Sequence, residues 1–391
     1  MTLHEFLADA RQFLSGQAEL RDAAGEQWGE GSDRIDLLFP ERTPSEDRSH
    51  ACAARAWRRT RFDAGFGWID GPAAYGGRGL SAEYRAAYQS LESQFTVPSC
   101  DIFIGTDGMI APTTLEFGSE QAKDFYLRRF YRGDFLACQL FSEPGAGSDL
   151  PSLRTRANQD GDEWIVQGQK VWSSGAHLAD VGLLLARNDD SKGRDGLTMF
   201  LVDMHAPGVA VVPLRQITGA SSFNEVFLDE VVIPEWMRVG AVGAGWRVAM
   251  TTLLHERGMA DLDRITMGPV RRLRSLIEHL GLDRDPVVRQ SMADVYTHAR
   301  VLEMTVQRSL VGKSGKSATT SVTKLAMTEN LRRIAKVVSH VLGPKLVADT
   351  GEWGTYAWSE FVLWQCGLRI AGGTDEVQRN SIAERVLGLP K

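Results

Sequence analysis

Cysteine is scarce and scattered. Cys52, Cys100, Cys138 and Cys366 form no Cys-x-x-Cys pair, which argues against a zinc knot or a disulfide framework and for free thiols. No apolar run approaches the roughly 20 residues needed to cross a bilayer. The opening Met1-Thr2-Leu3-His4-Glu5-Phe6 lacks the positive flank and apolar core of a signal peptide, so a cytoplasmic location is expected. An excess of positive charge is absent too: 44 Lys and Arg against 50 Asp and Glu leave a net charge of −6, with no basic footprint for nucleic acid. What the chain does have is length. Its 391 residues exceed the roughly 250–300 over which a single core usually grows, so two or three packed subdomains are expected.

The hydrophobic period changes twice. Over residues 1–130 it is helical, as in Ala82–Glu92, with breaks at Gly71-Pro72 and Tyr75–Gly79. Over 131–237 short apolar or β-branched runs sit between polar turns: 164–166, 181–186, 197–202 and 209–212. Helical spacing returns after Gly245-Trp246 and persists to the C-terminus, broken at Gly281, Gly312, Gly343-Pro344 and Gly351–Gly354. The expected fold is mostly α with a central β domain.

Three stretches carry chemistry. In Leu140-Phe141-Ser142-Glu143-Pro144-Gly145-Ala146-Gly147-Ser148-Asp149, glycines allow close backbone approach and the serines supply small donors. In Gly168-Gln169-Lys170-Val171-Trp172-Ser173-Ser174-Gly175, Trp172 and Ser174 are alternate residues of a strand and so share a face. The third is Ala371-Gly372-Gly373-Thr374-Asp375-Glu376-Val377-Gln378-Arg379-Asn380.

In this order and at these separations, the three stretches resemble the acyl-CoA dehydrogenase family of flavoenzymes over most of the chain. The resemblance implies an N-terminal helical domain (1–130), a middle β-barrel-like domain (131–237) and a C-terminal four-helix-bundle domain (238–391). It also implies FAD as cofactor, an acyl-CoA substrate and an electron transfer flavoprotein as reoxidant. By motif position, Ser142 would hydrogen-bond the flavin, with the backbone of Leu140 and Phe141 along the ring, and Ser148 would face the CoA portion. Trp172 would stack beside the isoalloxazine and Ser174 would donate to it. Thr374 and Glu376 match positions near the diphosphate and ribityl chain.

The catalytic carboxylate of much of the family directly precedes the Gly-Thr of the third motif, where this chain has Gly372. A glycine cannot remove a proton. Glu256, in Leu253-Leu254-His255-Glu256-Arg257-Gly258, matches the helix-borne base of the isovaleryl- and long-chain-type branches. A carboxylate in a dry pocket has a raised pKa and suits a general base. Arg257 would then contact substrate or CoA, His255 would be a neighbour, and the Gly372 N–H would polarise the thioester carbonyl.

Two further family elements are not intact. The Arg-x-x-Phe-Gly region reads His279-Leu280-Gly281-Leu282-Asp283-Arg284-Asp285-Pro286-Val287-Val288-Arg289-Gln290, and the Gln-x-x-Gly-Gly region reads His340-Val341-Leu342-Gly343-Pro344. An FAD diphosphate without its cationic partner loses charge-assisted hydrogen bonds worth roughly 1.5–3 kcal/mol each. The resemblance extends to heteromeric α2β2 actinobacterial enzymes of steroid side-chain breakdown, which implies a homologous second subunit here. Arg284 or Arg289 substituting for the missing arginine would keep a homo-oligomer open. The alternatives to a competent dehydrogenase are a non-catalytic or CoA-ester-binding scaffold subunit, or a flavin monooxygenase or nitroalkane oxidase of the same fold.

Overall fold

The computed structural model describes residues 1–21, 28–35, 42–188, 193–256, 266–311 and 316–390, with side chains at all of these except 256, 309–311 and 316–319. They fall into two compact units, residues 1–23, 41–216 and 220–259 in one and 24–40, 217–219 and 260–391 in the other.

The first unit opens with helices α1 (Leu3–Gln17), α2 (Pro44–Asp63), α3 (Ala82–Glu92), α4 (Ala111–Phe117) and α5 (Glu120–Arg132). Thr2 and Thr43 each close a capping box, with Glu5 and Glu46, so both helices start where the sequence satisfies their first amides. Arg58 anchors α2 from inside. Its buried guanidinium pairs with both oxygens of Asp107, at 2.6 and 2.8 Å, and donates to the Phe130 carbonyl at 3.0 Å.

Eight strands follow: β1 (Ala137–Leu140), β2 (Arg156–Asp160), β3 (Glu163–Ser174), β4 (Val181–Arg187), β5 (Leu197–Asp203), β6 (Val209–Leu214), β7 (Phe223–Pro234) and β8 (Arg238–Val239). They pair in the order β6-β7-β3-β2-β4-β5-β8, with β1 also beside β4. Strands β4 and β5 read as near-continuous apolar runs, with Thr198 the one polar residue within them, because both faces are buried. β1 runs parallel to Val181–Leu184, and Arg156 of β2 is parallel-paired with Arg187 further along β4. Since β5 takes the other edge of β4, residues 141–155 are an excursion out of one sheet edge. Helix α6 (Gly245–Glu256) closes the unit. Its Val248 and Ala249 join the core formed by Leu184, Met199 and Phe200.

The second unit contains α7 (Met267–His279), α8 (Pro286–Val311), α9 (Lys316–Leu342), α10 (Ala357–Leu368) and α11 (Asp375–Arg385). Leu273, Leu276, Val295, Leu302, Leu331, Ile334, Trp358 and Phe361 form its core, against which Trp28 and Ile35 pack. The helix–sheet–helix order is the expected one. No helix among the described residues is long and apolar enough to cross a membrane.

Candidate functional site

The excursion from the sheet edge is the first stretch. Leu140 and Phe141 turn their side chains into the core, leaving only backbone for a ligand. Glu143 and Ala146 exchange backbone hydrogen bonds at 3.0 Å, closing a tight turn over Pro144-Gly145. Ser142 is partly exposed and Ser148 fully so.

A buried ion pair ties this loop to β3. Lys170 Nζ donates to Glu143 Oε1 at 2.8 Å and to the Phe141 carbonyl at 3.1 Å. The Glu143 carboxylate also accepts from the Arg154 and Thr155 amides at 2.6 and 2.9 Å. The Val171 amide completes the seam by donating to the Ser142 carbonyl at 2.9 Å. Burial alone would push the Glu143 carboxyl up, but the Lys170 ammonium and these hydrogen bonds outweigh it and hold it below its ordinary value. Lys170 has no exposed side-chain surface, and burial pulls it down to about 8 despite Glu143.

Strand β3 then changes phase. Trp164, Val166 and Lys170 face inward on even numbers, but from Trp172 onward even residues face out. The cause is a bulge: Lys170 pairs with Val226 and Ser173 with Asn224, so two residues of β3 oppose Glu225 alone. Trp172 absorbs the distortion in the left-handed region, at φ +60°, where a bulky side chain is costly. The residue is 60% exposed, and its ring meets Phe223 edge-on with centroids 5.9 Å apart. Trp172 and Ser174 do share a face, yet unbroken alternation from Trp164 would have put both in the core.

On α6, the Thr252 hydroxyl meets Thr113 of α4 at 3.0 Å. Glu256 lies one turn beyond Thr252, at the end of the helix. The Glu256 side chain and all of Arg257 lie outside the described residues. His255 stands 3.9 Å from Glu116.

The third stretch belongs to the second unit. Gly372 and Gly373 take φ of +65° and +89°, a turn that favours glycine at both positions. Gln378 Nε2 donates to both of their carbonyls, at 3.1 and 3.2 Å. Thr374 caps α11 by accepting from the Val377 amide. Asp375 is the buried anchor, accepting from Arg369 at 2.8 Å, Thr328 at 3.0 Å and Lys324 at 3.1 Å. Burial would raise its pKa, but these partners hold it below the ordinary carboxylate range. Glu376 is exposed, 3.4 Å from Arg379. Thr374, Asp375 and Glu376 border a depression of about 300 Å³ with Cys366, Arg369 and Ile370. In the two incomplete motifs, Arg284 and Arg289 are exposed, and Arg289 donates to the Asp283 carbonyl at 3.3 Å.

Glu143, Lys170 and Asp375 were not among the sequence-derived site residues. The signal for Lys170 was a lysine inside a strand, followed by Val171 and Trp172.

Residues 40–134, 138–231 and 243–387 match the N-terminal, middle and C-terminal domains of acyl-CoA dehydrogenases. Acyl-CoA dehydrogenase IpdE1 of Mycobacterium tuberculosis is 35% identical over 398 residues, covering all of this chain and 98% of that protein. The ChsE4-ChsE5 complex from Mycobacterium tuberculosis superposes with a TM-score of 0.74 at 25% identity, over 100% of this chain and 98% of that one. The Tcur3481-Tcur3483 steroid ACAD gives 0.76 at 23% identity, over the same shares of both chains, a likeness of fold. The chain belongs to the acyl-CoA dehydrogenase family and is an oxidoreductase of that kind.

Membership implies FAD, and the residues present fit it. A large aromatic held at the surface in a costly backbone conformation, beside the exposed Ser174 and against a loop carrying Ser142, offers a flat apolar wall with two hydroxyls. That is what a tricyclic ring system with polar edges needs.

Proposed function

We propose that this chain catalyses the α,β-dehydrogenation of an acyl-CoA thioester with FAD as cofactor, in lipid or steroid side-chain degradation. The observation that carries the reading is the bulge that turns Trp172 and Ser174 outward, tied by Lys170 and Val171 to the Ser142 loop. When bound, FAD supplies the acceptor for the hydride that leaves the β-carbon. Ser142 and Ser174 donate to the ring, Trp172 covers it, and the backbone at Leu140 and Phe141 runs beside it. Thr374 and Glu376 lie near the diphosphate and ribityl chain. Ser148 and Arg257 hold the CoA ester, and the Gly372 amide hydrogen-bonds the thioester oxygen, stabilising the enolate that forms as the α-proton departs. Glu256 takes that proton.

The reoxidant is an electron transfer flavoprotein and the setting is cytoplasmic. The partner is a homologous second subunit in an α2β2 assembly. Support comes from the two incomplete FAD-contact motifs at 279–290 and 340–344 and from the likeness to the ChsE4-ChsE5 complex. A homo-oligomer is the alternative, and tight FAD in the singly expressed chain would remove the argument for a second, different subunit.

Gly372 at the usual position of the base favours a second reading, a non-catalytic or CoA-ester-binding scaffold subunit. Glu256→Gln in the flavin-loaded complex separates the two. Loss of acyl-CoA-dependent flavin bleaching by roughly 10²-fold or more is expected of a missing general base; unchanged bleaching removes Glu256 from that role.

A further inference from the structure

The bulge has a second anchor, on the side away from Lys170. Asn224 of β7 is fully buried, and its Nδ2 donates to the Ser173 carbonyl at 3.0 Å while lying 3.1 Å from His177 Nδ1. On its other side, His177 Nε2 stands 3.3 Å from an Asp47 carboxylate oxygen. Asp47 sits in the first turn of α2, so the bracket runs from the N-terminal helices through the sheet to the residue between Trp172 and Ser174.

Each orientation in the bracket is forced by the next. A carbonyl only accepts, so Asn224 must present its amide nitrogen to Ser173. The same nitrogen then faces His177, which must offer Nδ1 as an acceptor. Its proton is therefore on Nε2, directed at Asp47, which only accepts while ionised. Reversing the Asn224 amide would set two acceptors against each other at Ser173. The Ser173 hydroxyl and Asn224 Oδ1 are buried with no partner among the described residues, so the Ser173 carbonyl contact is the side-chain hydrogen bond that fixes this segment from the β7 side.

We propose that Asn224, aligned by His177 and Asp47, is a positioning residue that holds Trp172 and Ser174 in their flavin-facing geometry. Lys170 fixes the bulge where it begins and the Asn224 bracket fixes it where it ends. Without the bracket, a backbone stretch carrying a left-handed tryptophan relaxes, and the alternation of β3 slips toward its regular phase. This rests on the reading of Trp172 and Ser174 as the wall of the flavin site.

The test compares His177→Phe, His177→Asn, Asn224→Ala and Trp172→Ala in the full chain with its partner subunit. The readouts are FAD affinity by fluorescence titration and, in FAD-free protein, hydrogen exchange of the amides across 171–175. His177→Phe keeps a ring but loses both nitrogens; His177→Asn keeps the acceptor that faces Asn224. His177→Phe is expected to weaken FAD binding about tenfold, the worth of one aligned hydrogen bond, and to speed exchange by a similar factor. His177→Asn is expected to recover most of both. Unchanged exchange and affinity in both His177→Phe and Asn224→Ala overturn the proposal, as does faster exchange with unaltered affinity where Trp172→Ala does weaken FAD. Should Trp172→Ala leave FAD affinity untouched, the site reading fails instead, while exchange across 171–175 still decides whether the bracket holds the bulge.

Discussion

Replacing Lys170 by Met removes the ammonium that pairs with Glu143 and leaves that loop carboxylate at 8% exposure. Breaking a buried pair by deleting one partner costs roughly 3–5 kcal/mol, because the remaining charge is uncompensated. In a folded unit of this size 1 kcal/mol moves the midpoint by about 2–4 °C, so Lys170→Met is expected to lower Tm by about 6–20 °C in scanning calorimetry at pH 7. Glu143→Gln in the same background should restore part of the loss, because an amide needs no counter-ion, although its single oxygen can take the place of only one of the two carboxylate oxygens that accept from the Arg154 and Thr155 amides. The parent's pH profile offers an independent arm. Between about 8 and the ordinary 10.5 the unfolded chain binds a proton at Lys170 that the folded chain does not, so this group's contribution to stability rises with pH across that window. Lys170→Met lacks the rise. Single and double substitutions whose effects add to within about 0.5 kcal/mol would refute the coupling, and an identical alkaline limb in parent and Met variant would refute the account of Lys170.

Trp172→Gly is expected to stabilise the FAD-free chain by about 1 kcal/mol, because glycine accepts the left-handed backbone freely, while weakening FAD binding; a denaturant melt and a flavin titration give opposite signs, and equal signs would sink the reading. Asp375→Asn should lower Tm at pH 7 and narrow its gap to the parent near pH 3. The native carboxylate's stabilisation is present above its unfolded value of 3.8 and is lost as pH falls through the lower folded one, so a gap that stays constant with pH would contradict it. Thr374→Ala removes the cap of α11 and is expected to cost about 1 kcal/mol in a urea melt, with Thr374→Ser recovering most of it.

Much of the architecture was legible because burial on both faces writes an unmistakable pattern. The runs at 181–186 and 197–202 are apolar but for Gly182 and Thr198, and they are the most fully buried strands. Glycine and proline marked where the chain leaves the sheet at 144–147. What escaped reading is long-range. Periodicity shows that 245–256 carries an apolar stripe but not that Val248 and Ala249 join the same buried cluster as Leu184 and Phe200. Glu143 and Lys170 are 27 positions apart and Asp47 and His177 are 130 apart, so neither pair leaves a local trace. The extra residue of the bulge is equally silent, since Val171-Trp172 is as good a strand dipeptide as any other. Family motifs supplied the residue types of the site; the register that exposes them came from pairing with β7.

The bulge also limits how this site can change over time. A point substitution at 172 or 174 alters what the wall offers and leaves the strand intact. Losing the Val171 codon would instead erase the bulge: regular alternation from Lys170 would still turn Trp172 out and Ser173 in, but the left-handed backbone on which the indole is presented would be gone. Chain length between Lys170 and Ser173 should accordingly be far less tolerant of insertion and deletion than the neighbouring turn at 144–147. New specificities on this scaffold are then reached by exchanging side chains on a fixed register, with changes of length confined to the turns.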